Sequence, residues 1–243
     1  MSTVLTLLHT NDMHNCREAL QWLREHPPAE PYLLVDVGDS LRGSNTLWYW
    51  NEPIIDEMNQ LGYAVQAMGN REFHYLRRVL RCRREARRFP ILAANLEDVR
   101  GQEAFWQSEY VVDMEGIRVG FTGVTPVQYD DDAVWKRLFG FRFLPPVEAL
   151  EPVLRRLREQ CRVVILLSHS GYAKDQELAA ALPFDLIIGG HSHTVLQQPT
   201  WVGQVPIVQT GSHGRYVGKI HLTVPETGAV GLDYSLIPCR TAA

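Results

Sequence analysis

Short apolar runs alternate with helix-period runs along this chain, and that alternation restricts the fold more than any other feature of the sequence. Val4 to His9, Tyr32 to Val37, Ala64 to Ala67 and Ile91 to Ala94 read as strands. Between them Arg17 to Glu25, Trp48 to Gln60 and Arg71 to about Arg88 read as helices. Such alternation predicts a sheet with helices packed on it. The second half opens with a hairpin, Tyr110 to Asp113 and Arg118 to Gly123, around a Glu115-Gly116 turn in which Gly tolerates positive φ. Helices over Val147 to Glu159 and Asp175 to Leu182 then alternate with strands over Val163 to Leu167 and Leu186 to Ile188. Short β segments follow at Ile207 to Gln209, Val217 to Val224 and Leu232 to Ile237, while residues 126–146 read as a long loop. Two β-rich halves with helices outside predict an α/β fold, a two-sheet sandwich covered by helices, as one domain over residues 1–243.

Composition excludes several classes. Apolar residues make up 45% of the 243, enough for a sizeable core, and the net charge of −4 gives no general attraction to nucleic acid or membrane. The four cysteines, Cys16, Cys82, Cys161 and Cys239, lie far apart without a C-x-x-C, so they form neither a zinc ribbon nor a dense disulfide framework. The opening MSTVLTLLHT lacks a basic leader and reads as a strand, and no run approaches the ~20 apolar residues of a membrane helix. A cytoplasmic protein is expected. Seven Arg between Arg77 and Arg88 read as a solvated helix face, with Leu76, Val79, Leu80 and Ala86 turned to the core. No aromatic residue interleaves with them, so a nucleic-acid partner is disfavoured.

The strands end in polar residues of one chemical kind. Strand 1 runs into HTNDMH, strand 2 into VDVGDS, and strand 3 into GNREFH; later strands run into SHSG and GGHSH. Singly, each residue has an ordinary structural explanation: Asn70 as a helix cap, Asp12 and Asp39 as turn residues. Together, Asp12, His14, Asp39, Asn70, His169, His191 and His193 stand at the carboxyl ends of five strands, the edge at which α/β sheets bind ligands. Imidazole with carboxylate suits Mn, Zn, Fe, Co or Ni, whereas a Mg site would lean on oxygen alone. Seven donors are too many for one tetrahedral ion and suit two divalent ions with a carboxylate, such as Asp39, between them.

HTNDMH, GDS, GNRE, SHSG and GGHSH, in this order, resemble the calcineurin-like metallophosphoesterases, and HTND-x-H is similar to the opening motif of their 5′-nucleotidase-like branch. The resemblance implies a four-layer αββα sandwich. It implies Asp12, His14, Asp39 and His193 around one ion, and Asp39, Asn70, His169 and His191 around the other. It implies hydrolysis of a small phosphorylated substrate, a nucleotide first, by metal-bound hydroxide attacking phosphorus. Two departures stand out. Relatives read GNHEFD, where this chain has Arg71 and His74 in GNREFH. Typical 5′-nucleotidases also carry a C-terminal nucleotide-binding domain and often a secretion signal, neither of which is expected here.

Arginine can hold a phosphoryl group by paired hydrogen bonds, but with a pKa above ~12 it does not serve as a general acid. Arg71 is therefore expected to clamp phosphate. His74, one helical turn on, is expected to take over proton transfer, with His213 of the GSHG loop as second candidate and phosphate contact. Esters with good leaving groups would be favoured. Alternatively, Arg71 pairs with Glu72 or Asp98 and the site is weak. A phosphodiesterase acting on cyclic nucleotides or nucleic acid, and a non-catalytic metal- and nucleotide-binding module, are the other readings. The oligomeric state is left open. The LWYW run, Leu47 to Trp50, and Tyr129, Trp135, Phe139 and Phe141 are expected mostly in the core, with a pocket wall as their other use. No G-x-S-x-G and no strand-helix G-x-G-x-x-G is present, against a serine hydrolase or a dinucleotide binder.

Overall fold

The computed structural model describes residues 2–101 and 105–239. The first half runs β1 (Ser2–Thr10), α1 (Glu18–Glu25), β2 (Tyr32–Asp36), α2 (Pro53–Leu61), β3 (Val65–Ala67), α3 (Arg77–Ala86), β4 (Ile91–Leu92) and β5 (Leu96–Asp98). The second runs β6 (Glu109–Met114), β7 (Ile117–Val124), α4 (Val134–Phe139), β8 (Phe141–Phe143), α5 (Pro146–Gln160), β9 (Val163–Ser168), α6 (Tyr172–Ala181) and β10 (Leu186–Gly189). It closes with β11 (Thr200–Val202), β12 (Val205–Val208), β13 (Tyr216–Pro225) and β14 (Gly231–Pro238).

Two six-stranded sheets result, ordered β14-β13-β1-β2-β3-β4 and β11-β12-β10-β9-β7-β6. The strand run β1 to β4 is parallel, and β13 returns antiparallel beside β1, with Leu5 opposite Leu222. Side chains alternate along the strands with period two and so divide between two faces. Leu5, Leu7 and Val35 of one sheet meet Phe121, Ile165 and Ile188 of the other in a core between the sheets. Leu8 and Leu34 face outward onto Leu20 of α1 and Ile54 and Met58 of α2. Val164, Leu166 and Ile187 face outward onto Leu150 and Leu157 of α5 and Leu178 of α6. The layers are therefore α, β, β, α, as expected. The Glu115-Gly116 turn also forms, both residues having positive φ.

Four local expectations need correction. The second helix starts at Pro53, not Trp48: proline suits the first helical turn and pushes the residue before it out of the α region. The third starts at Arg77, after an extended Leu76, so Asn70 caps no helix and Arg71 and His74 share no helical face. Leu76 is 56% exposed and Ala86 is exposed, while Arg83 is buried in their stead. Residues 126–146 hold α4 and β8, and β8 pairs with β5 to bury Phe141 and Phe143 against Phe73. Among the described residues no helix is long and apolar enough to cross a membrane.

Candidate metal centre

The parallel strands β1, β2, β3, β9 and β10 all end at one edge, and the chain bends sharply there. Asp12, His14, Asp39, His191 and His193 have φ between 48° and 71°, the left-handed region that non-glycine residues avoid at about 1–2 kcal/mol each. Backbone bonds between neighbouring loops hold them in it: Asp12 N–H donates to Gly38 O and His14 N–H to Asp39 O, each at 2.9 Å. Local strain thus gathers where the candidate ligands are, a pattern associated with functional sites.

Asp12 lies at the centre. Its Oδ1 is 3.3 Å from His193 Nε2 and 3.8 Å from the Nε2 atoms of both His14 and His169. Asp39 Oδ1 is 3.4 Å from His169 Nε2. The donors form two groups, Asp12 with His14 and His193, and Asp12 with Asp39 and His169, each within 4.8 Å. Asp12 is the residue both groups share, whereas the resemblance puts the bridge at Asp39. His191 stands beside the second group, its ring 5.2 Å from that of His169.

Several of the candidate donor atoms lack a partner. Asp12 Oδ1, Asn70 Oδ1 and His169 Nε2 are buried without a hydrogen-bond partner, each at a cost of about 1–3 kcal/mol. Other atoms of the Asp12 and His169 side chains are occupied. Asp12 Oδ2 accepts from Asn11 Nδ2 and from His191 N–H, both at 2.8 Å. His169 Nδ1 donates to Val37 O at 2.6 Å, which turns Nε2 toward the carboxylates. Burial opposes ionisation of Asp39, yet His169 beside it pulls its carboxyl down to about 2. Burial likewise opposes charge on His169, and Asp39 and Asp12 overcome it, pushing the imidazole up to about 10. The cluster therefore calls for positive charge at its centre, and two carboxylates with convergent imidazoles fit divalent ions that accept nitrogen and oxygen.

Close backbone approach completes the geometry. A Cβ on Gly69 would lie 2.5 Å from Asp39 N, and one on Gly190 would lie 2.9 Å from His169 Nδ1. Sequence reasoning missed these two glycines. It also missed Asn11, whose Oδ1 accepts from Thr210 N and Oγ1 at 3.0 and 2.6 Å. Its place inside HTNDMH was the available signal. A helix from Arg71 to about Arg88 would put the Glu72 carboxylate at its positive end. Instead it is 1% exposed and accepts backbone N–H groups of Asp39, Ser40 and Gly69.

Arg71 and His74 separate. Arg71 N–H donates to Asp39 Oδ1 at 2.7 Å, and its Nε lies 3.9 Å from Asp39 Oδ2. Neither expected alternative partner holds it, because Asp98 pairs with Arg77 and Glu72 faces the backbone. His74 is buried, and its Nδ1 accepts from Leu76 N–H at 3.0 Å. Burial, with Arg83 nearby, lowers its imidazole to about 4. It makes no hydrogen bond or ring contact with the Asp12–Asp39 cluster among the described residues. His213 instead stands at the rim. Its N–H donates to Asp12 O at 2.8 Å, and its ring is 5.0 Å from His14 and 5.8 Å from His193.

The chain is similar to known proteins over most of its length. The family model for calcineurin-like phosphoesterases matches residues 5–195. An uncharacterized metallophosphoesterase of Bacillus subtilis, YunD, is 29% identical over 239 residues, covering 92% of this chain and 51% of that protein. A 5′-nucleotidase of Vibrio cholerae is 27% identical, covering 96% of this chain and 51% of that one. The crystal structure of a 5′-nucleotidase precursor from Thermus thermophilus superposes with a TM-score of 0.79 at 27% identity, over 97% of this chain and 55% of that one. The chain spans about half the length of the curated relatives it matches.

Proposed function

Because the chain belongs to the calcineurin-like phosphoesterase family, we propose that it hydrolyses a small phosphomonoester, with a nucleotide as first choice, using two divalent ions. The observation that carries this reading is the set of buried, partnerless donor atoms on Asp12, Asn70 and His169. Bound divalent ions would make hydroxide available near neutral pH and neutralise phosphoryl charge. Asp12, His14 and His193 would hold one ion, and Asp39, Asn70, His169 and His191 the other; Asp12 is common to both donor groups.

The remaining steps belong to this chain's own side chains. Arg71 offers guanidinium N–H groups to phosphoryl oxygens beside Asp39. His213, exposed at the rim with its backbone bonded to Asp12 O, would hand a proton to the departing oxygen. His74 lacks that access, since it is buried, accepts from Leu76 N–H and lies near Arg83. With an exposed rim histidine as its proton donor, the chain should favour leaving groups that need little protonation.

The test is a substrate panel on protein stripped of metal and reloaded separately with Mn, Zn, Fe, Co, Ni and Mg. Aryl phosphate and nucleoside monophosphate hydrolysis with at least one ion is expected. Arg71→Ala should lower kcat/KM by about tenfold or more, as loss of a charged phosphoryl contact does. His213→Ala should slow nucleoside monophosphates more than aryl phosphates. Faster turnover of a bis-aryl phosphate would make the chain a phosphodiesterase, and nucleotide binding without turnover under every metal would make it a binding module.

A further inference from the structure

Arg83 is a buried arginine in the arginine-rich helix α3, beside the buried Val79 and Leu80. It is 3% exposed, whereas Arg78, Arg81 and Arg84 on the same helix face solvent. Its Nη1 donates to three successive carbonyls, Arg71 O at 2.8 Å and Glu72 O and Phe73 O at 3.1 Å. Its Nη2 donates to Ser44 O at 3.3 Å. One side chain of α3 thus joins the turn that carries Asn70 and Arg71 to the loop that follows Asp39.

Two buried carboxylates hold the same pair of segments from their N–H side. Glu72 accepts from Asp39 N–H at 2.6 Å, Ser40 N–H at 3.0 Å and Leu41 N–H at 3.3 Å. Glu52 accepts from Arg42 N–H at 3.1 Å and Gly43 N–H at 2.8 Å. Arg71 closes the arrangement: its Nη1 lies 3.4 Å from Leu41 O and 3.3 Å from Arg42 O. Every N–H from Asp39 to Gly43 therefore ends on a buried carboxylate, and the carbonyls at 41, 42 and 44 end on a guanidinium. Gly43 leaves room for both charges, since a Cβ there would lie 2.6 Å from Arg83 Nη2 and 2.8 Å from Glu52 Oε1.

Stability alone does not call for such an arrangement. Burying ions costs several kcal/mol each, and an apolar filling of similar volume often does as well. What buried charges add is fixed direction, because each hydrogen bond sets an angle as well as a distance. The groups fixed here are Asp39 and Arg71.

We propose that Arg83 is a positioning residue of the phosphoester site: it holds the carbonyls of residues 71–73 against Ser44 and so sets the Arg71 guanidinium beside Asp39. The proposal rests on the functional reading above and adds a residue that never touches substrate. Arg83 acts through Arg71, so removing both should cost no more than removing Arg71.

A double-mutant cycle decides it. Arg71→Ala, Arg83→Met and the double variant are compared in the Mn-loaded protein, by kcat/KM on an aryl phosphate and by the affinity of inorganic phosphate. Each single variant should lose about tenfold or more in both, and the double variant should match Arg71→Ala. Arg83→Lys, which keeps the charge with fewer donors, should recover part of the loss and also serves if Arg83→Met fails to fold. Losses that multiply would overturn the proposal. A second measurement needs neither metal nor turnover. In the metal-free protein, Arg83→Met (or Arg83→Lys, to a smaller degree) should speed amide exchange at residues 39–43 and 69–73 while β1 and β9 keep their protection. Unchanged exchange in those segments, or equal acceleration everywhere, would overturn it too. A wild-type protein inactive with every metal would count against the phosphatase reading alone, and the exchange pattern would still decide the role of Arg83.

Discussion

His9 carries the sharpest consequence at the scale of one residue. It lies on β1, fully buried, with both ring nitrogens lacking a partner and its ring stacked 6.0 Å from Tyr234. Burial pushes its imidazole down to about 3. In the unfolded chain the same group titrates near 6.5. Below that pH the unfolded state takes up a proton that the folded state refuses, so the unfolded state is favoured. Stability attached to His9 is thus complete above pH 6.5 and is lost as pH falls toward 3, at about 1.4 kcal/mol per pH unit. His9→Phe keeps a flat ring and removes the titration. Urea melts at several pH values between about 7.5 and 4 should therefore show a shallower acid loss in the variant, and parallel slopes would contradict the account. The neutral, partnerless state of His9 was not legible in the sequence, since HT at the end of an apolar run reads equally well as the start of a polar loop.

At the scale of elements, what could be read was what repeats. The period-two strands and the helices from α5 onward follow from local pattern, and their bounds fall within a few residues of expectation. The GNREFH turn did not, for a physical reason. From Arg71 to Tyr75 a helix was open on propensity, but Arg83 takes the carbonyls at 71, 72 and 73, and Glu72 turns its carboxylate to a distant loop. Long-range side-chain bonds outcompete the local ladder there, and a single sequence shows no sign of them. The strand β8 was hidden for a similar reason, because Phe141 and Phe143 find their pattern only against β5 and Phe73. The candidate ligands were legible because they cluster at strand ends, whereas the glycine that lets two loops touch was not. Gly69→Ala tests that contact. Its methyl would press on Asp39 N and the adjacent carboxylate, so metal affinity should fall by about tenfold or more, as when a ligand's support is lost. Calorimetric titration of Mn into metal-free wild type and variant checks this, and equal affinities would remove Gly69 from the argument.

At the scale of the whole molecule, the site lies on the seam between the two sheets. Asp12, Asp39 and Asn70 follow strands of the first sheet, and His169, His191 and His193 follow strands of the second. Direct polar bonds already cross that seam beside the site: His169 Nδ1 to Val37 O at 2.6 Å is one, and Asn11 to the loop after β12 is another, through Gly211 O at 2.6 Å. A cation held by Asp12 and His193 would join the two sheets directly, as would one held by Asp39 and His169. It would bind only when both sheets are in place, so its binding energy would add to folding stability. With free ion at about a hundred times its dissociation constant, the gain is about 2.7 kcal/mol. For a domain of this size that raises Tm by roughly 5–10 °C. Thermal melts with and without Mn should show this rise in wild type. Asp12→Asn removes the charge shared by both donor groups while keeping the bonds to Oδ2 nearly in shape, so the rise should shrink to a small remainder. A rise of equal size in the variant would mean that the ion stabilises the protein from somewhere other than the seam.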